Sequence, residues 1–143
     1  MSTLTEKTSR ILIVDDETYI LQVLSLKLRN AGYEVLSAGD GEEGLELALE
    51  ELPDLIITDF QMPFMTGLEM CQALATNKET EEIPVIMLTA RGHSLNDEDV
   101  SIGNIRHVVH KPFSPRAVLE LVKSQLFGNN PRRDSQSSDS EAA

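Results

Sequence analysis

The chain has 143 residues but no tryptophan, few aromatic residues and a single cysteine, Cys71. One cysteine excludes an internal disulfide, and because Cys71 falls in an apolar helical stretch we expect it to be a small core residue. No apolar run reaches the roughly 18 residues that a membrane span requires. The N-terminus also lacks a hydrophobic stretch, so we expect no signal peptide and predict a cytoplasmic location.

Basic residues are scarce as well. The sequence has 12 lysines and arginines against 24 aspartates and glutamates, which gives a formal net charge of -12. Binding to nucleic acid or to an anionic membrane requires a basic face, so the composition argues against direct contact with either. It does not exclude these activities in a partner protein.

The sequence does contain a regular alternation of short apolar runs and helical patterns. The predicted strands are 10–14, 33–37, 54–58, 84–88 and 105–109, and the predicted helices are 17–30, 41–52, 66–75, 94–103 and 114–127. The helical pattern is weakest over 94–103. Strands that alternate with helices predict an α/β, doubly wound, five-stranded parallel sheet with helices on both faces.

The apolar pattern also suggests where the domain begins and ends. We predict an N-terminal extension over residues 1–9, one domain over 10–127 and a tail over 128–143. The tail has no large apolar residue after Phe127 and is rich in serine, asparagine and aspartate. Such a segment buries too little surface to offset its chain entropy, so we expect the tail to be disordered.

Polar side chains stand at the ends of four predicted strands. Asp15 and Asp16 follow the first strand, and Asp59 follows the third. Thr89 follows the fourth strand, and Lys111 lies just beyond the fifth. Because parallel strands end at the same edge of a sheet, where ligands bind in this fold class, we expect these side chains to meet there.

This set of residue types suits phosphoryl transfer to a carboxylate. Neighbouring carboxylates repel one another, and Mg²⁺, which prefers oxygen ligands, relieves that repulsion. A lysine adds positive charge that stabilises phosphoryl oxygens, and an aspartate can act as the nucleophile and form an acyl phosphate. Taken singly, each residue also has an ordinary explanation as a helix cap, a loop residue or the end of a strand.

Four segments together resemble the receiver domain of two-component response regulators. They are ILIVDDE at 11–17, DLIITDFQMPFMTGLEM at 54–70, PVIMLTA at 84–90 and HKPF at 110–113. The resemblance extends from about Arg10 to Phe127. It implies the flavodoxin-like fold of chemotaxis regulators, with strand order 2-1-3-4-5.

The resemblance also implies a role for each site residue. Asp59 would accept the phosphoryl group, Thr89 and Lys111 would bind it, and the Lys111–Pro112 peptide bond would be cis. The ligands of the Mg²⁺ cofactor would be Asp15, Asp16, Asp59 and the backbone carbonyl of Gln61.

By the same resemblance, a sensor histidine kinase or a histidine phosphotransfer protein would donate the phosphoryl group. Phosphorylation would alter the surface formed by the predicted segments 94–103, 105–109 and 114–127, which signals to a downstream effector protein. The chain would then be a signalling domain and not an enzyme. Val108 departs from the family, which often has an aromatic residue there, so we expect switching without an aromatic side chain. His107 should lie on the opposite face of the strand.

Other interpretations stay open. A receiver-like interaction module that is not phosphorylated would lack the acidic pair or the acceptor, whereas this chain retains both. A phosphatase of the haloacid dehalogenase type usually has a second aspartate two positions after the first, where this chain has Gln61. We expect no metal site from the histidines, because His107 and His110 should point to opposite faces of a strand.

Overall fold

Five parallel strands alternate with four helices in the described part of the chain. The computed structural model describes residues 8–90, 101–102 and 104–128. The strands are β1 (Arg10–Val14), β2 (Glu34–Ala38), β3 (Leu55–Asp59), β4 (Val85–Thr89) and β5 (Ile105–His110). The helices are α1 (Thr18–Asn30), α2 (Gly41–Glu51), α3 (Gly67–Ala75) and α4 (Pro115–Gly128).

The strands form one sheet in the order β2-β1-β3-β4-β5, and every neighbouring pair is parallel. The predicted fold class and strand order are therefore confirmed. The chain runs from β1 outward to β2 and then crosses back to β3 on the other side of β1. In such sheets this reversal leaves a crevice at the carboxyl ends of the two central strands, which is the usual location of a ligand site.

Alternate side chains of each strand enter two separate cores. Ile11 and Ile13 belong to the core under α1 and α4, whereas Leu12 and Val14 belong to the core under α2 and α3. All four side chains are fully buried. The unbroken apolar run from Ile11 to Val14 in this central strand is thus explained by helices on both faces.

Cys71 lies in the core under α2 and α3, as predicted. Burial of the thiol raises its pKa to about 12. The side chain therefore stays protonated at neutral pH and acts as a small apolar residue.

The predicted bounds of the strands are within one residue of the observed ones, and β2, β3, β4 and β5 each end one residue later than predicted. Asp59 and Thr89 are the last residues of β3 and β4, and do not follow them. The reason is that the hydrogen-bond ladder continues past both residues: Phe60 N donates to Leu88 O at 2.7 Å and Lys111 N donates to Thr89 O at 2.8 Å. The predicted helix over 94–103 falls almost entirely outside the described residues, as do residues 1–7 and 129–143.

Gly67, the first residue of α3, packs directly against the carbonyl group of Asp59. A Cβ at this position would lie 2.3 Å from Asp59 O, closer than any real Cβ contact. The Gly67 amide also donates a hydrogen bond to Phe60 O at 2.8 Å, which closes the loop between β3 and α3. The absence of a side chain at residue 67 thus allows α3 to begin beside the end of β3.

We expect Gly67→Ala to reduce the free energy of unfolding by about 1–3 kcal/mol, because the new methyl group must displace strand backbone and not a flexible side chain. Urea denaturation measures the change. Gly39→Ala is the matched control, since a Cβ there would find its nearest atom, Glu43 Oε1, 4.0 Å away. Equal stability of the two variants would contradict this account of Gly67.

Candidate functional site

Two buried carboxylates stand side by side at the carboxyl edge of the sheet, the edge at which the parallel strands end. Val14 of β1 pairs with Thr58 of β3, so the next residues, Asp15 and Asp59, are neighbours. Asp15 is fully buried and Asp59 is 5% exposed. The Asp15 side chain accepts a hydrogen bond from the Glu17 amide at 2.9 Å, which fixes the turn that leads into α1.

Lys111 brings a positive charge to this pair from the end of β5. Its Nζ lies 3.1 Å from Asp59 Oδ1 and 3.4 Å from Asp15 Oδ2. It also lies 3.1 Å from Glu17 Oε1. The Lys111–Pro112 peptide bond is cis, as the resemblance implied.

Asp16 completes an acidic cluster with Asp15 and Asp59. One carboxylate oxygen from each of the three residues lies within 4.8 Å of the others, an arrangement that could hold a metal ion. Asp16 is exposed, whereas the other two are buried, so the cluster opens to solvent on the Asp16 side. Gln61 is exposed and follows β3 by two residues.

Burial strongly perturbs the titration of these groups. Desolvation is the main cause that raises the pKa of Asp59 to about 6, and the charge of Asp15 adds to it against the opposing effect of Lys111. Desolvation likewise raises the pKa of Asp15. Burial alone would lower the pKa of Lys111, but its hydrogen bond with Glu17 and the charges of Asp15 and Asp59 raise it to about 12. The lysine is therefore charged at neutral pH, and the carboxylates hold more negative charge than it neutralises.

Thr89 contributes a buried hydroxyl group at the end of β4. The residue has no exposed surface, and its Oγ1 has no hydrogen-bond partner among the residues that the structure describes. A buried hydroxyl without a partner is unfavourable by about 1–3 kcal/mol, so such a group commonly indicates a ligand position.

Glu17 is the site residue that sequence analysis did not assign. Its carboxylate pairs with Lys111 across the opening of the site, although 60% of its side chain is exposed. Its place directly after the acidic pair was the available signal, but only the fold brings it to a lysine far along the chain.

Val108 and His107 occupy opposite faces of β5, as expected. Val108 packs against the core under α2 and α3. The His107 Nε2 atom lies 3.0 Å from Gln125 Nε2, on the side of α4. The only histidine, cysteine or acidic cluster suited to a metal in the described ranges is the aspartate trio; His93 falls outside them.

The fold and this site together define a flavodoxin-like α/β domain with an acidic, lysine-containing centre at the switch point of its sheet. The model of the response regulator receiver domain family matches residues 11–123. The chain therefore belongs to the response regulator receiver domain family, and its function is that of a receiver in phosphorelay signal transduction.

Named relatives and solved structures agree with this membership. The phosphate regulon transcriptional regulatory protein PhoB of Pseudomonas aeruginosa is 36% identical over 122 residues, which are 85% of this chain and 53% of that protein. The alkaline phosphatase synthesis transcriptional regulatory protein PhoP of Bacillus subtilis is 40% identical over 118 residues, 82% of this chain and 48% of that protein. The chain thus spans about half the length of these curated relatives.

Among solved structures, the chemotaxis response regulator CheY4 of Vibrio cholerae superposes with a TM-score of 0.76 at 33% sequence identity. The match covers 82% of this chain and 98% of that one. No helix in the described ranges is long and apolar enough to cross a membrane.

The raised pKa of Asp59 predicts that its charge destabilises the metal-free fold. The folded state binds this proton more tightly than the unfolded state, so the contribution to stability is complete at low pH and is lost as the pH rises through about 6. At pH 7.5 the charge reduces the free energy of unfolding by up to about 3 kcal/mol. We therefore expect Asp59→Asn to be more stable than the unsubstituted chain at pH 7.5 in EDTA, with a smaller difference as the pH falls toward 4.

Urea denaturation at several pH values measures this difference. Asp40→Asn is the matched control, because it also removes one negative charge, and asparagine retains the helix cap that Asp40 provides for α2. A loss of stability in Asp59→Asn at pH 7.5 would contradict the assigned effect of burial.

Proposed function

We propose that Asp59 is the phosphoacceptor of this receiver domain and that Lys111 and Thr89 bind the phosphoryl oxygens. The observation that carries the proposal is the 3.1 Å contact between Lys111 Nζ and Asp59 Oδ1 inside a group of three carboxylates. In this arrangement the Asp59 carboxylate already lies next to the Lys111 ammonium group, which would stabilise the oxygens of a phosphoryl group on Asp59. The Thr89 hydroxyl, which has no hydrogen-bond partner among the described residues, supports the proposal, since a phosphoryl oxygen would give it an acceptor.

The transfer converts one bond to phosphorus into another. A carboxylate oxygen of Asp59 attacks the phosphorus of a phosphohistidine, the P–N bond breaks, and the released imidazole takes up a proton. Lys111 stays protonated throughout because its pKa is raised to about 12, so it can stabilise negative charge on the phosphoryl oxygens as they approach Asp59.

The residues present fit a magnesium ion. All the side-chain donors are carboxylate oxygens, which Mg²⁺ prefers. The carboxylates repel one another, and a bound cation would relieve that repulsion. Asp15, Asp16 and Asp59 would hold the ion together with the backbone carbonyl of Gln61. Bound there, Mg²⁺ would supply positive charge that lowers the pKa of Asp59 and offsets the charge of an incoming phosphoryl group.

The partners belong to the proposal as well. A sensor histidine kinase or a histidine phosphotransfer protein would donate the phosphoryl group in the cytoplasm, and an effector protein would read the result. PhoB and PhoP are transcriptional regulators, but the part of this chain that matches them covers only about half of each. Because the chain has a net charge of -12, we propose that it contacts neither nucleic acid nor membrane directly. We also propose that it signals without acting as an enzyme on other substrates.

We propose that output depends on the surface around β5 and α4 and on the segment over 94–103. Val108 is β-branched and packs against the core, so it cannot swing as a flat ring would. We expect Thr89 to move toward a phosphoryl group on Asp59. This movement would act on the backbone after β4, and the contact between His107 and α4 would stay unchanged.

Incubation with acetyl phosphate and Mg²⁺ should add one phosphoryl group to the chain, and the Asp59→Asn variant should gain none. The reason is that Asp59 belongs to the acidic cluster, contacts Lys111 and keeps a small exposed fraction. The Asp15 side chain is fully buried, and Glu17 lies outside the cluster. Intact-protein mass spectrometry measures the incorporation. Asp54→Asn, at the opposite edge of the sheet, should be labelled like the unsubstituted chain. Equal labelling of Asp59→Asn would refute the assignment.

Phosphorylation should require the metal, because two further carboxylates repel the incoming phosphoryl group. EDTA should abolish labelling. Asp16→Asn should raise the Mg²⁺ concentration needed for half-maximal labelling by about tenfold, the lower end of the effect of losing a metal-site interaction. Titration of labelling rate against Mg²⁺ measures this, and an unchanged titration curve in Asp16→Asn would argue against a role of Asp16 as a ligand.

A further inference from the structure

Phe64, in the loop between β3 and α3, has two unfavourable features. The residue is 94% exposed, more than any other large hydrophobic residue in the described part of the chain. Its backbone φ is +71°, a value that bulky side chains rarely adopt because Cβ crowds the neighbouring carbonyl. Neither feature stabilises the fold, and backbone strain of this kind is concentrated at functional sites.

The loop around Phe64 is otherwise firmly held. Its two ends are joined by the hydrogen bond from Gly67 N to Phe60 O. Met62 is buried in the core under α2 and α3, and Met65 packs against the same core. The residues on both sides of Phe64 are thus anchored, while the ring itself projects into solvent.

The acceptor carboxylate lies in a recess close to this ring. Only 7% of the Asp59 side chain is exposed, so a protein donor must press its histidine into the opening. Gly67 lies against the Asp59 carbonyl. Phe64 precedes Gly67 by three residues, which limits the distance between the Cα atoms of Phe64 and Gly67 to about 11 Å. A protein interface of about 600–800 Å² per partner has a radius of about 14–16 Å, so a donor centred on Asp59 and the adjoining Gly67 would reach Phe64.

We infer that Phe64 is a docking residue for the protein that donates the phosphoryl group, an inference that rests on the proposed function of Asp59. The ring would enter an apolar depression on the donor and lose its contact with water. A small phosphodonor reaches the carboxylate without touching the ring. Phe64 would therefore favour transfer from a protein over transfer from a small molecule.

Two donors with the same P–N bond separate docking from chemistry. The small donor is phosphoramidate, and the protein donors are a set of purified histidine-kinase cores that have been autophosphorylated with ATP. From this set we would take the core that labels the unsubstituted chain fastest. Phe64→Asn removes the ring while asparagine tolerates the left-handed backbone, and Phe64→Tyr keeps the ring.

Leu52→Asn is the matched control. Leu52 is also a large hydrophobic residue with positive φ (+49°) and 42% exposure. It ends α2 just before β3 begins, at the edge of the sheet opposite the site. It shares the unfavourable backbone and the exposure of Phe64, but not its position.

We expect Phe64→Asn to slow transfer from the kinase core by about tenfold, as the loss of a buried aromatic contact implies. Labelling by phosphoramidate should stay within twofold of the unsubstituted chain. Phe64→Tyr and Leu52→Asn should resemble the unsubstituted chain with both donors. Phe64→Asn should also melt at or above the original temperature, because the strain is relieved.

Equal slowing of both donors in Phe64→Asn, unchanged transfer from the kinase core, or a lower melting temperature would each overturn the inference. So would labelling by phosphoramidate without transfer from any kinase core. Labelling of Asp59→Asn by phosphoramidate would instead refute the proposed acceptor, so the two failures can be distinguished.

Discussion

The burial of two neighbouring carboxylates at the ends of β1 and β3 is the constraint on which the site depends. Water would normally solvate Asp15 and Asp59, but the sheet excludes most of it, and the pKa of Asp59 rises to about 6. Lys111, which follows β5, offsets part of the negative charge of this pair, with its Nζ 3.1 Å from Asp59 Oδ1. The site thus holds more negative charge than Lys111 neutralises, an environment that favours binding of a divalent cation.

The rest of the fold keeps this unfavourable arrangement in place. Apart from Arg10 and Thr58, the residues of β1 and β3 that precede the two aspartates are apolar. Both strands are covered on both faces, so their backbones cannot shift to separate the charges. Gly67 lets α3 begin against the Asp59 carbonyl, and the turn after Asp15 is fixed by the Glu17 amide. The packing of the two cores therefore offsets the free-energy cost of holding two carboxylates close together and away from water.

Much of this architecture is readable from the sequence, because it follows from periodicity. Apolar strands alternating with helices fix a parallel sheet, and a parallel sheet brings Asp15, Asp59 and Lys111 to one edge. Periodicity does not predict the pairing of Glu17 with Lys111, nor that the Thr89 hydroxyl lacks a hydrogen-bond partner among the described residues. Both features depend on distances of a few ångströms between distant segments. The backbone of Phe64 is also unpredictable, because phenylalanine disfavours the left-handed region that it occupies.

The strained Phe64 and the buried Asp59, the proposed acceptor, are connected through a single loop. Asp59 must be recessed for Lys111 and the acidic pair to act on it strongly, because water at an open site would weaken every charge interaction. A recessed acceptor then needs a donor that is held in place while its histidine enters, and holding requires contacts outside the recess. Residues that pack inward, such as Met62 and Met65, cannot provide them. An exposed ring between these two anchors can, and its unfavourable backbone persists because both sides of the loop are fixed to the same core that supports Asp59.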